Sequence, residues 1–180
     1  MNEPLELEVC IKYSNEMSAE EKAQLETLDH LAFPDEELDP GDNILWEPPK
    51  LNFLGKVDNL IVSNVGVVKR EITAGNCKIV VGGIGGVATM PKWQKRGFAR
   101  LLLDKANEHL RTNREFEFGM LFCAPEKVHY YASCGYMEVN NPLFIHLRGE
   151  RKLFEDTKMV LQLSEMNWPK GEVDVMGLPW

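Results

Sequence analysis

The stretch Cys77–Thr89 reads CKIVVGGIGGVAT, and Gly82, Gly83, Gly85 and Gly86 within it carry no side chain. Its isoleucines and valines mark a strand. Glycine at this density weakens pairing and packing, and marks a bulge or a close approach of something to the backbone. Any fold for this chain has to be built around a strand with room beside it. Two more runs rich in Val, Ile and Leu, residues 51–56 and 60–72, precede it, set off by Asp58-Asn59 and by Ala74-Gly75-Asn76. Those turn residues predict an antiparallel meander of three strands.

On the N-terminal side, Leu5, Leu7, Val9 and Ile11 alternate with polar residues, the period of a half-buried strand. Ser18 and Glu21 form a capping-box pair that opens a helix with Leu25, Leu28 and Leu31 at helical spacing. Residues 33–50, with four prolines and no period, read as a surface loop. After Pro91 comes an amphipathic helix with Phe98, Leu101, Leu102, Ala106 and Leu110 on one face. Phe118–Cys123 reads as a short buried strand, residues 126–133 as a short helix, and residues 136–139, 144–146 and 159–163 as closing strands. This order, βα, three strands, then αβαβ, predicts a single α/β domain. Its sheet is mixed and mostly antiparallel, turns parallel where the later helices cross over, and is flanked by helices. With 180 residues the chain is long enough to bury a sizeable core without disulfide or metal staples.

Charge narrows the function. The net charge of −8 argues against a surface built to neutralise nucleic acid, so phosphate binding has to be local. Residues 1–50 hold 14 Asp or Glu against three Lys, a balance of −11, whereas residues 91–114 hold seven Lys or Arg against Asp104 and Glu108, a balance of +5. One region suits a cation and the other an anion. Cys10, Cys77, Cys123 and Cys134 form no CxxC pair, and no histidine stands at metal-ligand spacing, so neither a disulfide framework nor a metal site is signalled. His30, His109, His129 and His146 are read as surface or core residues, Cys123 as packing, and Trp46, Trp93 and Trp168 as hydrophobic anchors. Glu3, Glu6 and Glu8 stand where a signal peptide is basic and apolar, and no stretch is long and apolar enough to span a bilayer. A cytoplasmic protein away from membranes is expected.

The chemistry is concentrated in GVATMPKWQKRGFARLLL, residues 86–103. A strand runs into a basic turn that opens a helix, and free amides at a helix N-terminus, with small residues beside them, make an anion cradle. The spacing is neither GxxxxGK[ST] nor GxGxxG, which disfavours ATP and NAD. QKRGFA, residues 94–99, resembles the QxxGxG/A motif of the GNAT superfamily of acyl-CoA-dependent N-acetyltransferases. YYASCGY, residues 130–136, resembles that family's FYxxxGF segment at the expected distance, and the strand order fits, so the resemblance covers nearly the whole chain.

The resemblance implies one acyl-CoA N-acyltransferase domain over residues 1-180, with its sheet splayed between the fourth and fifth strands. Acetyl-CoA is then the cosubstrate, with no metal. By that resemblance Val87, Ala88 and Thr89 offer backbone groups to the pantetheine arm, Gln94, Lys95, Arg96, Gly97, Phe98, Ala99 and Arg100 wrap the pyrophosphate, and Tyr131 is the general acid at the thioester sulfur. The glycine-rich strand would leave room for the coenzyme. Proton transfer from a phenol of pKa about 10 to a thiolate of about 8.5 is uphill by roughly 2 kcal/mol. Tyr131 therefore either hydrogen-bonds the developing thiolate or works in a dry pocket that raises the sulfur's pKa.

A narrower resemblance, carried by residues 61–87, by YASCGY and by the ending NWPKGEVDVMGLPW, is to the aminoglycoside 2'-N-acetyltransferase group. It implies that Asp35, Glu36, Glu155, Asp156 and the carboxylate of Trp180 hold a cationic substrate. Two departures weigh against aminoglycosides themselves: Gly85 stands where that group carries a glutamate base, and Pro179 where it carries an acid. An attacking amine must still lose a proton, and the acids of residues 35–37 and the Trp180 carboxylate remain alternatives for that role. The expected function is acetyl transfer from acetyl-CoA to a primary amine of a small cationic substrate. The alternatives are an aminoglycoside acetyltransferase proper and a non-catalytic acyl-CoA-binding module. Nucleic acid and membrane partners are disfavoured, and a homodimer stays open.

Overall fold

The computed structural model describes residues 6–33 and 44–180. Ten strands and three α-helices are assigned among them, and the backbone gathers into two compact units.

The first unit comprises the described residues up to 33 together with Pro49–Val67 and Gly86–Ala106. Strand β1 (Glu8–Tyr13) pairs antiparallel with β2 (Leu51–Val57), and β2 pairs antiparallel with the first half of β3 (Leu60–Ala74). Helix α1 (Ala19–Ala32) starts where the capping box places it. Glu21 N donates to Ser18 Oγ (3.1 Å) and Ser18 N donates to Glu21 Oε2 (2.9 Å). The other carboxylate oxygen of Glu21 takes Lys12 Nζ at 2.7 Å and Lys56 Nζ at 2.8 Å, so one glutamate caps the helix and ties it to β1 and β2. These donors hold the Glu21 carboxyl down at about 2. The β1 expectation is corrected here: Leu5 lies outside the described residues, Leu7 precedes the strand, and Ile11 is 51% exposed. The ion pair to Glu21 turns Lys12 toward the helix and its neighbour Ile11 outward. Leu28, Leu54, Ile61, Val62, Ala88 and Trp93 form this unit's core.

In the second unit, Ile44–Pro48, Val68–Gly85 and Asn107–Trp180, the new strands are β5 (Phe118–Cys123), β6 (Met137–Val139), β7 (Leu143–Leu147), β8 (Glu150–Leu153), β9 (Thr157–Gln162) and β10 (Val173–Asp174). With β3 and β4 (Cys77–Thr89) the order is β6-β9-β5-β4-β3-β10-β7-β8. Strands β4 and β5 run parallel, as do β10 and β7, whereas β9 is antiparallel to both its neighbours. The α/β class and the mixed sheet agree with the sequence; β8 and β10 were not foreseen. Helix α2 (Phe98–Thr112) contributes residues to both units, and α3 (Val128–Ser133) belongs to the second.

The face predicted for α2 needs one correction. Leu101 is 42% exposed, and Leu103 is fully buried along with Leu102, Ala106, Asn107 and Leu110. Asn107 belongs to the buried stripe because its Oδ1 accepts a 2.7 Å hydrogen bond from Tyr136 Oη, which satisfies a polar group that would otherwise be costly to bury.

Candidate functional site

In the first unit the candidate residues are the end of β4 and the turn into α2. Gly86 has φ +56°, a left-handed conformation that favours glycine, and its carbonyl accepts from Asn64 Nδ2 at 3.1 Å. Asn64 is buried, and its Oδ1 has no hydrogen-bond partner among the described residues. Ser63 Oγ donates to the Ala88 carbonyl (2.9 Å) and lies 2.8 Å from Thr89 Oγ1, so two polar side chains of β3 fix this end of β4. Neither Ser63 nor Asn64 stood out in the sequence, because a polar pair inside an apolar strand carries no motif.

The 3₁₀ turn Pro91–Trp93 follows. The Trp93 ring is buried, stacks on Phe98 at 6.1 Å, and carries the Arg96 guanidinium at 4.9 Å and the Lys92 ammonium at 5.5 Å. Trp93 is thus an anchor, as expected, and it also holds two cations beside the turn. Lys95 (φ +62°) and Gly97 (φ +82°) are both left-handed, and the space beside Gly97 is open. Left-handed residues within a turn aim successive amides at one point, a nest for an anion. The helix adds to it, since the earliest amides of an α-helix have no acceptor within it. Two of the predicted pyrophosphate ligands are engaged elsewhere: Gln94 Nε2 donates to the Thr89 carbonyl (3.1 Å) and Arg100 Nε to Asp104 (3.1 Å).

In the second unit, pairing of β4 with β5 runs from Val81↔Phe118 to Ile84↔Leu121 and stops, although β4 continues through Gly85 and β5 through Phe122 and Cys123. The sheet parts at the strands where a splay was expected. The room beside the glycines is another matter. A Cβ on Gly82 would overlap Leu110, and one on Gly83 the Trp180 indole; one on Gly85 would stand 2.8 Å from the Trp180 main-chain carbon. At these three positions the close approach is made by the protein's own residues, which corrects the expectation that the strand keeps the space for a coenzyme. It also gives Gly85 a steric cause, since a glutamate there would collide with Trp180.

Trp180 is held firmly. Its Nε1 donates to the Met120 carbonyl (3.2 Å), and the Arg70 guanidinium lies 5.8 Å from its ring. Arg70 also donates to the carbonyls of Val175 (3.1 Å) and Leu178 (3.3 Å) and pairs with Glu47 at 3.5 Å, while Glu47 N donates to the Pro179 carbonyl at 2.6 Å. Arg70 was missed in the sequence because the carbonyls it holds lie about a hundred residues away. One aromatic ring follows another outward from Trp180: Phe122 at 5.0 Å, Phe154 at 5.1 Å from Phe122, and Trp46 at 6.0 Å from Phe154. Trp46, expected as a hydrophobic anchor, packs edge-on to Phe154 and is 48% exposed.

Tyr131 is buried on α3, edge-on to Tyr130 (5.0 Å) and Tyr136 (6.3 Å). Burial raises its phenol above the ordinary tyrosine value, with Tyr130, Cys123 and Cys134 adding to the shift. Cys123, whose Sγ lies 3.9 Å from Met159 Sδ, is likewise raised by burial and by Asp156, Glu138 and Glu126. A thiol kept protonated in this way is packing, in line with the sequence reading. Glu155 and Asp156 are exposed in the turn before β9, and Asp156 follows the end of β5 through the Thr157↔Cys123 pair. Crowding by protein raises the Asp156 carboxyl, and Lys158 opposes the shift. Asp35 and Glu36 lie outside the described residues. Among those described, no three His, Cys, Asp or Glu side chains gather as a metal site would need, and no helix is long and apolar enough to cross a membrane.

The family model for an acetyltransferase (GNAT) domain matches residues 14–139. Among solved structures, Escherichia coli ElaA superposes with a TM-score of 0.61 at 17% identity, covering 87% of this chain and 100% of that one. An acyl-CoA N-acyltransferase from Pseudomonas aeruginosa gives 0.61 at 15% identity, covering 87% and 99%. A GNAT family acetyltransferase from Brucella melitensis, solved in complex with acetyl-CoA, gives 0.61 at 14% identity, covering 92% and 94%. At such identities the likeness is one of fold. A comparison with curated proteins finds no significant match.

Proposed function

We propose that this chain, which belongs to the GNAT acetyltransferase family, moves an acetyl group from acetyl-CoA to a primary amine of a small cationic substrate by direct attack. The observation that carries this reading is the parting of β4 and β5 after Ile84 and Leu121 while both strands run on. Acetyl-CoA supplies the acetyl group already activated as a thioester, and the acetyl-CoA complex of the Brucella melitensis neighbour supports that choice. The residues present fit the coenzyme. The left-handed Lys95 and Gly97, with Arg96 held on Trp93, suit a pyrophosphate, and Asn64 Oδ1, without a partner among the described residues, suits an amide donor.

In this reading the amides of residues 97–100, with Lys95 and Arg96, bind the phosphates, and Val87, Ala88 and Thr89 present backbone to the pantetheine arm. As the nitrogen–carbon bond forms and the carbon–sulfur bond breaks, the amine loses one proton and the thiolate leaves. Burial keeps the Tyr131 phenol protonated, so it donates a hydrogen bond to the departing sulfur rather than surrendering its proton. The amine's proton passes, directly or through water, to a carboxylate on the acceptor side, for which the acids of residues 35–37 are the candidates. Asp156 and Glu155, with Asp35 and Glu36, draw in a cationic acceptor. Four free thiols fit a reducing, cytoplasmic setting.

Calorimetric titration with acetyl-CoA, followed by thiol release on adding amines, tests this. Tyr131→Phe should lower turnover by about a hundredfold with coenzyme binding kept. A protein that does not bind acetyl-CoA would end the proposal. Binding without thiol release on any amine would favour the non-catalytic module, the reading that the lack of a side-chain base at Gly85 supports.

A further inference from the structure

The acceptor approaching the thioester has been described so far only as a small cationic amine. Resting on the transferase reading, we infer that the acceptor is an amine carried on a flat aromatic group, recognised by the row of rings Trp180, Phe122, Phe154 and Trp46. Phe122 is the first residue of β5 beyond its last pair with β4, so its ring stands at the point where the two strands part. Trp180 fills the place beside Gly83 and Gly85, and its ring is 5.0 Å from Phe122 with the planes tilted by 39°. Phe154 meets Phe122 edge-on at 5.1 Å and Trp46 edge-on at 6.0 Å. These are the separations and angles at which aromatic pairs attract.

Of the four, Trp180 and Phe154 are buried, Phe122 is half-buried and Trp46 is half-exposed. The row therefore leads from the parting of the strands, beside Phe122, to the half-exposed Trp46. A half-exposed indole backed by buried rings leaves apolar area in water that a flat ligand would cover. The charges beside the row point the same way. Arg70 lies over the Trp180 ring and is paired with Glu47, so a ligand entering here meets a neutralised pair and a guanidinium already on one aromatic face. A polycation gains little from a surface whose charges are already paired. An aryl group with a single short-linked amine stacks on Trp46 and Phe122 and directs its nitrogen toward Trp180 and Gly85.

The purified chain with saturating acetyl-CoA would be assayed for thiol release with 2-phenylethylamine, propylamine, spermidine and kanamycin. In parallel, calorimetry would measure binding of each amine to the protein loaded with coenzyme A. The aryl amine should exceed propylamine in kcat/KM by about tenfold or more, the scale of one stacked ring. Trp46→Ala should raise the KM for 2-phenylethylamine until that advantage is nearly gone, and Trp46→Phe should restore most of it. Acetyl-CoA affinity reports that the variants are folded. Equal kcat/KM for 2-phenylethylamine and propylamine, a preference for spermidine or kanamycin, or Trp46→Ala lowering all amines alike would each overturn the inference and leave the transferase reading standing. Thiol release with no amine tested would count against the transferase reading. In that case the aryl preference is decided by calorimetry alone, and failure of 2-phenylethylamine to bind more tightly than propylamine would overturn it.

Discussion

Strand β4 uses glycine for opposite reasons at its two ends. Around Gly82, Gly83 and Gly85 the protein closes in, with Leu110 and Trp180 occupying the places where side chains would stand. From Gly86 into the following turn the constraint is conformational: Gly86 and Gly97 are left-handed, and beside Gly97 the space is open. A glycine cluster that reads as one feature in the sequence is thus a packing device in one place and a bending device in another. Only the second leaves backbone free to meet a ligand.

Substitutions at the two ends separate these causes. Gly83→Val should have the largest effect, because the new side chain expels the Trp180 indole, and losing a buried tryptophan costs about 3–5 kcal/mol; urea denaturation would measure it. Arg70→Ala should come next at roughly 2–3 kcal/mol, since it removes a charged donor from two carbonyls and leaves Glu47 unpaired. Acetyl transfer should fall further than stability if the tail's position matters to chemistry. Gly97→Ala should cost only about 1–2 kcal/mol, the strain of a left-handed alanine, yet weaken acetyl-CoA binding. Gly97→Asn should be milder in both respects. A Gly97→Ala variant as unstable as Gly83→Val would erase the contrast between the two ends.

The smallest expected effect concerns pH. Glu21 is held at about 2 by Lys12, Lys56 and the Ser18 amide, below its unfolded value. The stability it gives is therefore full above the unfolded carboxylate pKa and lost as pH falls through the folded one. Because Lys12 is partly exposed, the loss should be about 1 kcal/mol between roughly pH 5 and pH 2. Denaturation across that range should show it in the wild type, and Glu21→Gln should flatten the dependence. Tyr131 is shifted the other way, upward from the ordinary phenol value. Its ionisation should not limit turnover up to about pH 10, and a basic limb below that value which vanishes in Tyr131→Phe would contradict the assignment.

Much of this was legible in the sequence where local chemistry decides it. Strands β4 and β5 start and stop at the residues read from turn signals and apolar runs, and the Ser18–Glu21 capping box sits where its spacing puts it. Misreadings arose where a distant polar partner overrode the apolar pattern. Lys12 turns inward for Glu21 while Ile11 faces out, and Asn107 joins the buried stripe of α2 for Tyr136 while Leu101 faces out. Strand β8 (Glu150–Leu153) is exposed along its length and β10 (Val173–Asp174) is two residues long, so neither has a period to read. The tail's attachment through Arg70 and Met120, and the row of rings from Trp180 to Trp46, join residues far apart in sequence, which no local pattern records.

The central claim is that β4 and β5 part to serve acetyl transfer rather than simply to seat Trp180. Mass spectrometry of 2-phenylethylamine incubated with acetyl-CoA and purified protein tests this most directly. The account predicts the N-acetyl product with the wild type and its near loss with Tyr131→Phe at unchanged coenzyme affinity. No acetylated product from this or any other amine, with acetyl-CoA failing to bind, would contradict it.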